Sequence, residues 1–206
     1  TSLDRLLQAS AALHHHLCPR QVLGVRMGLL GGHWLGLEVP REDKRLLTLV
    51  ETDGCAADAI ATATGCRIGR RTLRVIDFGK VAATLVDTQT LRAVRVAPQP
   101  SARERAWAYA PEATGRWQAQ LLGYQRMPET ELVVVQEVVL TVPLAKLLSK
   151  AGYRVNCQAC GEEIINEREV LVDGWTLCRA CAGHRYYRLA GEPVPSSFRV
   201  LEEITA

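Results

Sequence analysis

HHHLCP at residues 14–19 and ETDGCAAD at residues 51–58 are the stretches around which this chain of 206 residues is organised. Imidazole and thiolate together suit zinc and other late transition metals. Residues spaced i, i+2 and i+4 cannot share one face of a helix, so His14, His16 and Cys18 are expected to converge from a loop. Pro19 lacks a backbone N–H and can open the next helix at its first position. The two stretches therefore predict a metal site between helix ends.

Outward from these stretches, residue patterns predict helices and strands in mixed order. Helices are predicted over residues 2–12 with Ser2 as N-cap, 21–30 ended by Gly31, 53–64 capped by Asp53, 102–110, 115–127 and 143–151. Strands are predicted over residues 46–50, 72–78, 80–88 and 131–140, the middle two forming an antiparallel pair joined at Gly79. Without regular βαβ alternation, this order favours an α+β fold: a core of helices and antiparallel sheet over residues 1–150, then a small module over residues 151–206.

Composition narrows the class of protein. Hydrophobic residues make up 48% of the chain, enough for one sizeable core and a small module. The net charge of +3 does not by itself argue for nucleic acid. The sequence contains no apolar run of about 18 residues, so no membrane span is expected. Residues 1–13 contain no basic segment followed by an apolar core, so a secretion signal is not expected either. Seven cysteines, an odd number with two C-x-x-C pairs, indicate metal binding in a reducing compartment, so a cytoplasmic location is expected.

The two C-x-x-C pairs predict a structural zinc site. They consist of Cys157, Cys160, Cys178 and Cys181, and 17 residues separate the pairs. Four thiolates bind zinc tetrahedrally and close the site. Residues 170–177 predict a β-hairpin with Asp-Gly at its turn, and the order of knuckle, hairpin and second pair is that of a treble-clef finger. The alternative is four buried cysteines without metal.

Basic and aromatic side chains near the finger raise the question of nucleic acid. They are Arg179, His184, Arg185, Tyr186, Tyr187 and Arg188. Such residues together can contact phosphates and stack on bases. The cluster is small, so nucleic acid is the less expected partner, and a solvated helix face or a protein interface is the alternative.

Residues 13–19 resemble the F-H-G-H-x-C-P-G signature of the E-subunit family of formylmethanofuran dehydrogenase. Residues 51–70 and 77–80 resemble that family's second block, and the C-terminal finger resembles the treble clef that some members append. The chain departs from the pattern at a few positions. His15 and Arg20 stand where glycines are usual, Ala61 where glutamine is common and Arg67 where threonine is common. Arg20 lies beside the site and bears on the substrate or partner more than on metal binding.

The resemblance implies an α+β core, a metal or catalytic site at the histidines and cysteines, and a homodimer. It also implies a link to the molybdenum or tungsten formylmethanofuran chemistry of methanogens, as an oxidoreductase subunit or an accessory of one-carbon metabolism. Many family members occur outside that pathway with no settled activity. Whether this chain is an enzyme therefore stays open.

The candidate ligands of the N-terminal metal are His14, His16, Cys18 and Cys55. Cys55 stands at a predicted helix start, where the helix dipole is expected to lower the thiol pKa. Metal binding has an alternative for these residues. A histidine in a run of three is also consistent with an ordinary loop residue, and Cys55 is also consistent with a reactive thiol or a buried apolar residue. Zinc is the expected metal in the finger, and a second transition metal, most simply zinc, at this site.

Candidate catalytic residues are Cys18, Cys55, Asp58 and Lys80. Asp58 lies one turn after Cys55 and is expected to orient an imidazole. Lys80 follows a glycine and is expected to balance anionic charge. The alternatives are a surface carboxylate and a solvated strand end.

Two classes of function follow. One is a metal-dependent enzyme or subunit acting on a small one-carbon or pterin-like substrate through an open coordination position. The other is an accessory or regulatory protein whose finger docks a protein partner or nucleic acid. An open position lined by Asp58 and Lys80 favours the first, and a closed site or a basic surface along residues 179–188 favours the second.

Overall fold

The structure is a computed structural model that describes residues 2–190. The chain divides into two compact units, Thr1–Leu144 and a second unit that begins at Ala145. Most of the tail predicted over residues 186–206 lies outside the described residues.

The larger unit combines helices with one sheet. Its helices are α1 (Leu3–His14), α2 (Pro19–Trp34), α3 (Cys55–Thr64), α4 (Ala102–Arg105), which continues into a 3₁₀ turn (Ala106–Tyr109), α5 (Arg116–Arg126) and α6 (Glu129–Leu132). Its strands are β1 (Leu46–Val50), β2 (Leu73–Val75), β3 (Ala83–Asp87), β4 (Ala93–Pro98) and β5 (Val133–Val138). Helix α7 (Leu144–Leu148) follows. The prediction of an α+β fold with an antiparallel sheet is confirmed.

The sheet order is β2-β1-β3-β4-β5, with β2 parallel to β1 and the other neighbours antiparallel. The prediction that residues 72–78 and 80–88 pair with each other is therefore wrong, because both flank β1. The backbone N–H groups of Phe78 and Lys80 donate to the Glu51 carbonyl at 2.9 and 3.1 Å, and the Glu51 N–H donates to Ala82 O at 2.9 Å. The chain thus passes over the end of β1 instead of turning at Gly79. Strand β4 was not predicted.

Helix α2 is buried along most of its length and packs closely on α3. A Cβ added at Gly24 would lie 2.6 Å from the carbonyl oxygen of Ala56, and one at Gly28 would lie 2.7 Å from Ala63 Cβ. Only hydrogen at these positions lets the two backbones approach so closely. The helix continues to Trp34, so the prediction that Gly31 ends it is wrong. A Cβ there would meet Leu85 Cδ1 at 2.7 Å, so this glycine serves close packing on β3.

The helix starts are capped differently. Ser2 Oγ accepts the Arg5 N–H at 3.4 Å, which confirms the predicted cap of α1. The prediction of Asp53 as the cap of α3 is wrong, because Gly54 occupies that position with φ 71° and ψ −154°. Essentially only glycine adopts this region. The turn that Gly54 allows brings Cys55 to the first position of the helix.

A partly buried ion pair joins the approach to β1 with the end of β3. Arg45 Nε and Nη2 donate to the two carboxylate oxygens of Asp87 at 2.9 and 2.7 Å. Asp87 is 1% exposed and also accepts from the Gln89 N–H and the Thr90 hydroxyl. The Arg45 guanidinium and these donors hold the pKa of Asp87 well below its usual value.

The second unit is built from two short hairpins and a helical turn. The hairpins pair β6 (Arg154–Asn156) with β7 (Glu163–Ile165) and β8 (Val170–Val172) with β9 (Trp175–Leu177), and the helical turn covers Ala180–His184. Asp173 and Gly174 have φ values of 50° and 83°, as a two-residue hairpin turn requires. The predicted hairpin is confirmed. Across the described residues, no helix is both long and apolar enough to cross a membrane.

Candidate functional site

The four C-terminal cysteines form a preformed metal site. The sulfur atoms of Cys157, Cys160, Cys178 and Cys181 all lie within 4.8 Å of one another. The Gly161 N–H donates to Cys157 O at 2.9 Å and closes the first knuckle. The Cys178 N–H points at Cys157 Sγ (3.2 Å) and the Cys181 N–H at Cys178 Sγ (3.3 Å). Four clustered sulfurs that receive backbone N–H groups fit zinc, and the predicted four-cysteine zinc finger is confirmed.

The finger sulfurs divide negative charge unevenly when no cation is present. Backbone N–H groups of Cys160 and Cys178 lower the pKa of Cys157 to about 6. Hydrogen bonding with the neighbouring Cys178 sulfur and burial raise the pKa of Cys181 to about 12. Four thiolates so close together need a cation between them, which Zn²⁺ supplies.

The N-terminal site lies where three helix ends meet. His14 is the last residue of α1, Cys18 directly precedes α2 and Cys55 is the first residue of α3. The side chain of Gln21 fixes this junction: its Oε1 accepts the Cys18 N–H at 2.8 Å, and its Nε2 donates to Ser10 O at 3.1 Å. Gln21 is fully buried and so links α1 to the start of α2. His16 and Cys18 lie in the connection before α2 as predicted, whereas the prediction that His14 also lies in this loop is wrong, because α1 continues to His14.

His14 bridges the cluster. Its Nε2 lies 3.0 Å from Cys55 Sγ, and its Nδ1 lies 3.3 Å from Asp58 Oδ2. A carboxylate on one ring nitrogen of a histidine fixes the ring and its tautomer while the other nitrogen faces a ligand. Asp58 therefore lies beside the His14 ring, and its role in orienting that ring stays a prediction.

Cys18 directly precedes α2 and is 8% exposed, and its thiol influences the pKa of Cys55. Burial, followed by the Cys18 thiol, raises the pKa of Cys55, while Arg20 opposes this more weakly. The expectation that the helix start lowers the Cys55 pKa is therefore wrong. Burial and, after it, the neighbouring thiol outweigh the helix start, and a cation between the two sulfurs would favour the thiolates instead.

The other predicted site residues lie at the edge of this cluster. His16 Nδ1 lies 3.0 Å from the carbonyl oxygen of His14, and the two rings are 4.9 Å apart. Lys80 is exposed on the connection to β3. Within residues 2–190, the finger is the one group of three or more histidine, cysteine, aspartate or glutamate side chains whose ligand atoms all lie within 4.8 Å of one another. The N-terminal cluster is more widely spaced. Cys66 is separate: it is buried and contacts Thr48 Oγ1 and Leu46 O at 3.3 and 3.4 Å.

A groove of about 800 Å³ opens onto the cluster. Its lining includes His16, Cys18, Cys55 and Lys80 together with Arg20, Arg95, Arg103, Arg116 and Trp117. We call it the arginine groove. Arg20 was expected beside the site from its place in the sequence. Arg95, Arg103, Arg116 and Trp117 were not predicted there, because they come from distant parts of the chain. No local signal ties them to the cluster.

Two parts of the chain each match the model of a known protein family. Residues 13–142 match the family model described as FmdE, molybdenum formylmethanofuran dehydrogenase operon. The chain belongs to the FmdE family. Residues 151–187 match the prokaryotic dksA/traR C4-type zinc finger. The family predicted from residues 13–19 and 51–80 is confirmed.

One protein is similar to this FmdE protein in sequence, and another is similar in structure. A probable S-adenosyl-L-methionine-binding protein of Archaeoglobus fulgidus is 29% identical over 216 residues, which cover 94% of this chain and 57% of that protein. The chain thus spans little more than half the length of that relative. A crystal structure of a tungsten formylmethanofuran dehydrogenase FmdE-like protein from Syntrophus aciditrophicus has a TM-score of 0.59 and 22% identity, covering 91% of this chain and 96% of that one. This likeness shows the fold.

Proposed function

We propose that His14, Cys18 and Cys55 bind a second transition metal, most simply zinc, with His16 as an alternative imidazole ligand. One observation carries this proposal: His14 presents Nε2 to Cys55 at 3.0 Å while Asp58 holds its other ring nitrogen at 3.3 Å. Carboxylate-held histidines are typical of metal sites. The three donors are soft or borderline ligands, as zinc prefers. A bound divalent metal with an open position would supply a Lewis acid.

The wider role we propose is that of a metal-binding subunit or accessory protein in molybdenum- or tungsten-linked one-carbon metabolism. Membership of the FmdE family supports this role, because the family model is described by that operon. Cys18 and Cys55 would contact the reacting group or its metal. Asp58 positions His14, and Lys80 is available to balance anionic charge.

Metal content tests the site directly. Untagged protein is loaded with zinc, dialysed and analysed for metal per chain. We expect two metals in the wild type and one in Cys18→Ala, because three-ligand sites lose a metal with one ligand while the finger keeps its own. Cys66→Ala is the matched control and should keep two, because Cys66 contacts Thr48 and Leu46 instead of the cluster. A wild type that never exceeds one metal per chain would reject the site.

The substitution Asp58→Asn tests whether Asp58 orients the His14 ring or is an ordinary surface carboxylate. We expect the second metal to bind about 10- to 100-fold more weakly, as for other carboxylates that orient a metal-binding histidine. The finger zinc should be unchanged. Equal affinities for the second metal in wild type and variant would leave Asp58 without a role in the site.

The second candidate function is an adaptor whose finger binds a protein partner. It is favoured by exposed apolar side chains on the finger hairpin: Leu171 is 74% exposed and Trp175 is 55% exposed. Exposed aromatic residues are common anchors of protein interfaces. Leu171→Asp combined with Trp175→Ser should abolish capture of a specific partner while zinc content stays at the wild-type level. Unchanged capture would reject this function.

A homodimer remains our prediction for the quaternary structure, and a cytoplasmic location our prediction for the compartment. Sedimentation equilibrium at micromolar concentration tests the first, and a monomer there would reject it. Nucleic acid remains the less expected partner, although Arg185 lies 5.5 Å from the centre of the Tyr187 ring, an arrangement that also occurs on ordinary surfaces.

A further inference from the structure

The arginine groove has a charge that the metal site alone does not explain. Five cationic side chains line it: Arg20, Lys80, Arg95, Arg103 and Arg116. Among residues 2–190, no aspartate or glutamate belongs to its lining. The charged aliphatic and guanidinium side chains of the groove are therefore all cationic.

One of these cations is neutralised. Arg95 Nε and Nη2 donate to the two carboxylate oxygens of Glu51 at 2.6 and 2.7 Å, behind the groove. The other four form no ion pair with any carboxylate in the described part of the chain. These four charges exceed the net charge of +3 of the entire chain. Like charges around a concave surface reinforce one another and raise the local concentration of anions.

The four cationic side chains come from separate segments of the chain and line the same groove as the two cysteines of the proposed metal site. Arg20 lies at the start of α2 beside Cys18, Lys80 on the connection to β3, Arg103 in α4 and Arg116 at the start of α5. Cys18 and Cys55 belong to the same lining. Arg20 also acts electrostatically on Cys55. A ligand held by the arginines would thus lie against the two thiols.

An aromatic side chain completes the groove. Trp117 belongs to the lining and is 56% exposed. An exposed indole next to cationic side chains can stack on a flat conjugated ring whose substituents are anionic. A volume of about 800 Å³ lies within the range of small-molecule sites.

We propose that the arginine groove binds a small organic polyanion, with at least two carboxylate or phosphate groups, and directs it towards Cys18 and Cys55. This inference names the substrate class of the proposed metal site and rests on that proposal only for the ligand's reacting end. Anion binding itself requires the arginines and not the metal, so the two proposals can fail separately.

Calorimetric titration with defined probes tests the groove. The probes are benzene-1,3,5-tricarboxylate, propane-1,2,3-tricarboxylate and inorganic pyrophosphate, with benzoate as the single-charge comparison. We expect binding of the multiply charged probes, weakened at high salt as for contacts between exposed charges, and no binding of benzoate. The ratio of the tricarboxylates to pyrophosphate identifies the anionic group preferred, and the ratio of the two tricarboxylates measures stacking.

Variants locate the binding. Arg116→Gln and Arg20→Gln should each weaken binding of the tricarboxylates about tenfold, the loss expected for a charge-assisted hydrogen bond. Both side chains are exposed, so folding should be unaffected. Arg5→Gln on α1 is the matched control, because it removes the same charge from an exposed position outside the groove, and it should change affinity less than twofold.

Wild-type protein treated with a mild chelator separates this proposal from the metal site. It should still bind the multiply charged probes, because the arginines of the groove, and not the metal, hold the anions. The proposal is overturned if no multiply charged probe binds at millimolar concentration, or if Arg5→Gln weakens binding as much as Arg116→Gln. Binding of a ten-nucleotide single strand without binding of any small polyanion would also overturn it, in favour of a nucleic-acid groove.

Discussion

The zinc finger and the proposed N-terminal metal site both contain cysteines but are built in different ways. The finger cysteines lie within 25 residues of chain, and backbone N–H groups of the knuckles point at their sulfurs. The N-terminal donors instead come from the ends of α1, α2 and α3, and packing between these helices brings them together. One site is encoded by local spacing, and the other depends on the core.

The difference also concerns completeness. The finger has four clustered sulfurs, which enclose a zinc and leave no coordination position. The proposed N-terminal site has three candidate donors, a carboxylate beside His14 and an adjoining groove. The first site is structural, and for the second we propose ligand binding.

The largest effect is expected from Cys178→Ala. Structural zinc in such fingers supplies on the order of 10 kcal/mol of folding free energy, so this variant should lose its zinc and the fold of the second unit. Limited proteolysis should then cleave the chain beyond Ala145 while residues 1–144 resist. Full zinc content with an unchanged digestion pattern would contradict local encoding of the finger.

Gly24→Ala tests the dependence of the cluster on packing. The new methyl group would lie 2.6 Å from Ala56 O, so α2 and α3 must separate, at a cost of about 3 kcal/mol in unfolding free energy. Binding of the second metal should weaken, and the finger zinc should remain. Gly69→Ala, which meets nothing within 4 Å, is the control and should change stability by less than about 0.5 kcal/mol. Intact affinity for the second metal in a destabilised Gly24→Ala protein would separate the cluster from the helix packing.

Asp87→Asn should destabilise the core by about 2 kcal/mol at neutral pH, because it breaks the bidentate contact with Arg45. The folded-state pKa of Asp87 is depressed, so its stabilisation is present above the ordinary value of about 4 and is lost as pH falls below it. Unfolding free energies of wild type and variant should therefore converge in acid. A difference that stays constant from pH 7 to pH 3 would show that the charge of Asp87 is not the cause. The finger zinc at pH 7 should be identical in both proteins.

Gly54→Ala is expected to have the smallest effect, about 1 kcal/mol in unfolding free energy, since L-residues rarely adopt its backbone angles. The start of α3 should shift and carry Cys55 with it, so the second metal should bind more weakly than the loss of stability suggests. Unfolding by denaturant and metal titration measure the two effects. An unchanged free energy and affinity would mean that the turn before Cys55 adapts to a side chain.

The sequence was sufficient for what spacing encodes. The C-x-x-C pairs predicted the finger, and residues 14–19 predicted a cluster at a helix start, because each depends on residues close together in the chain. The pairing of β2 and β3 with β1 was not predictable, since Gly79 resembles a hairpin turn and the decisive hydrogen bonds go back to Glu51. Arg103 and Arg116 reach the groove only in the folded protein. The direction in which the pKa of Cys55 shifts depends on its burial and on the Cys18 thiol, which spacing does not give.

Two glycines around the cluster are needed for opposite reasons. Gly24 has ordinary helical geometry and no room for a methyl group, so its requirement is one of size. Gly54 has open space where a Cβ would be, but its φ of 71° and ψ of −154° are the mirror image of the polyproline conformation of L-residues, so its requirement is one of handedness. No residue other than glycine meets the first requirement, whereas a D-amino acid has the backbone preference that the second demands. The spacing of this site is thus set by two residues that contribute no chemical group to it.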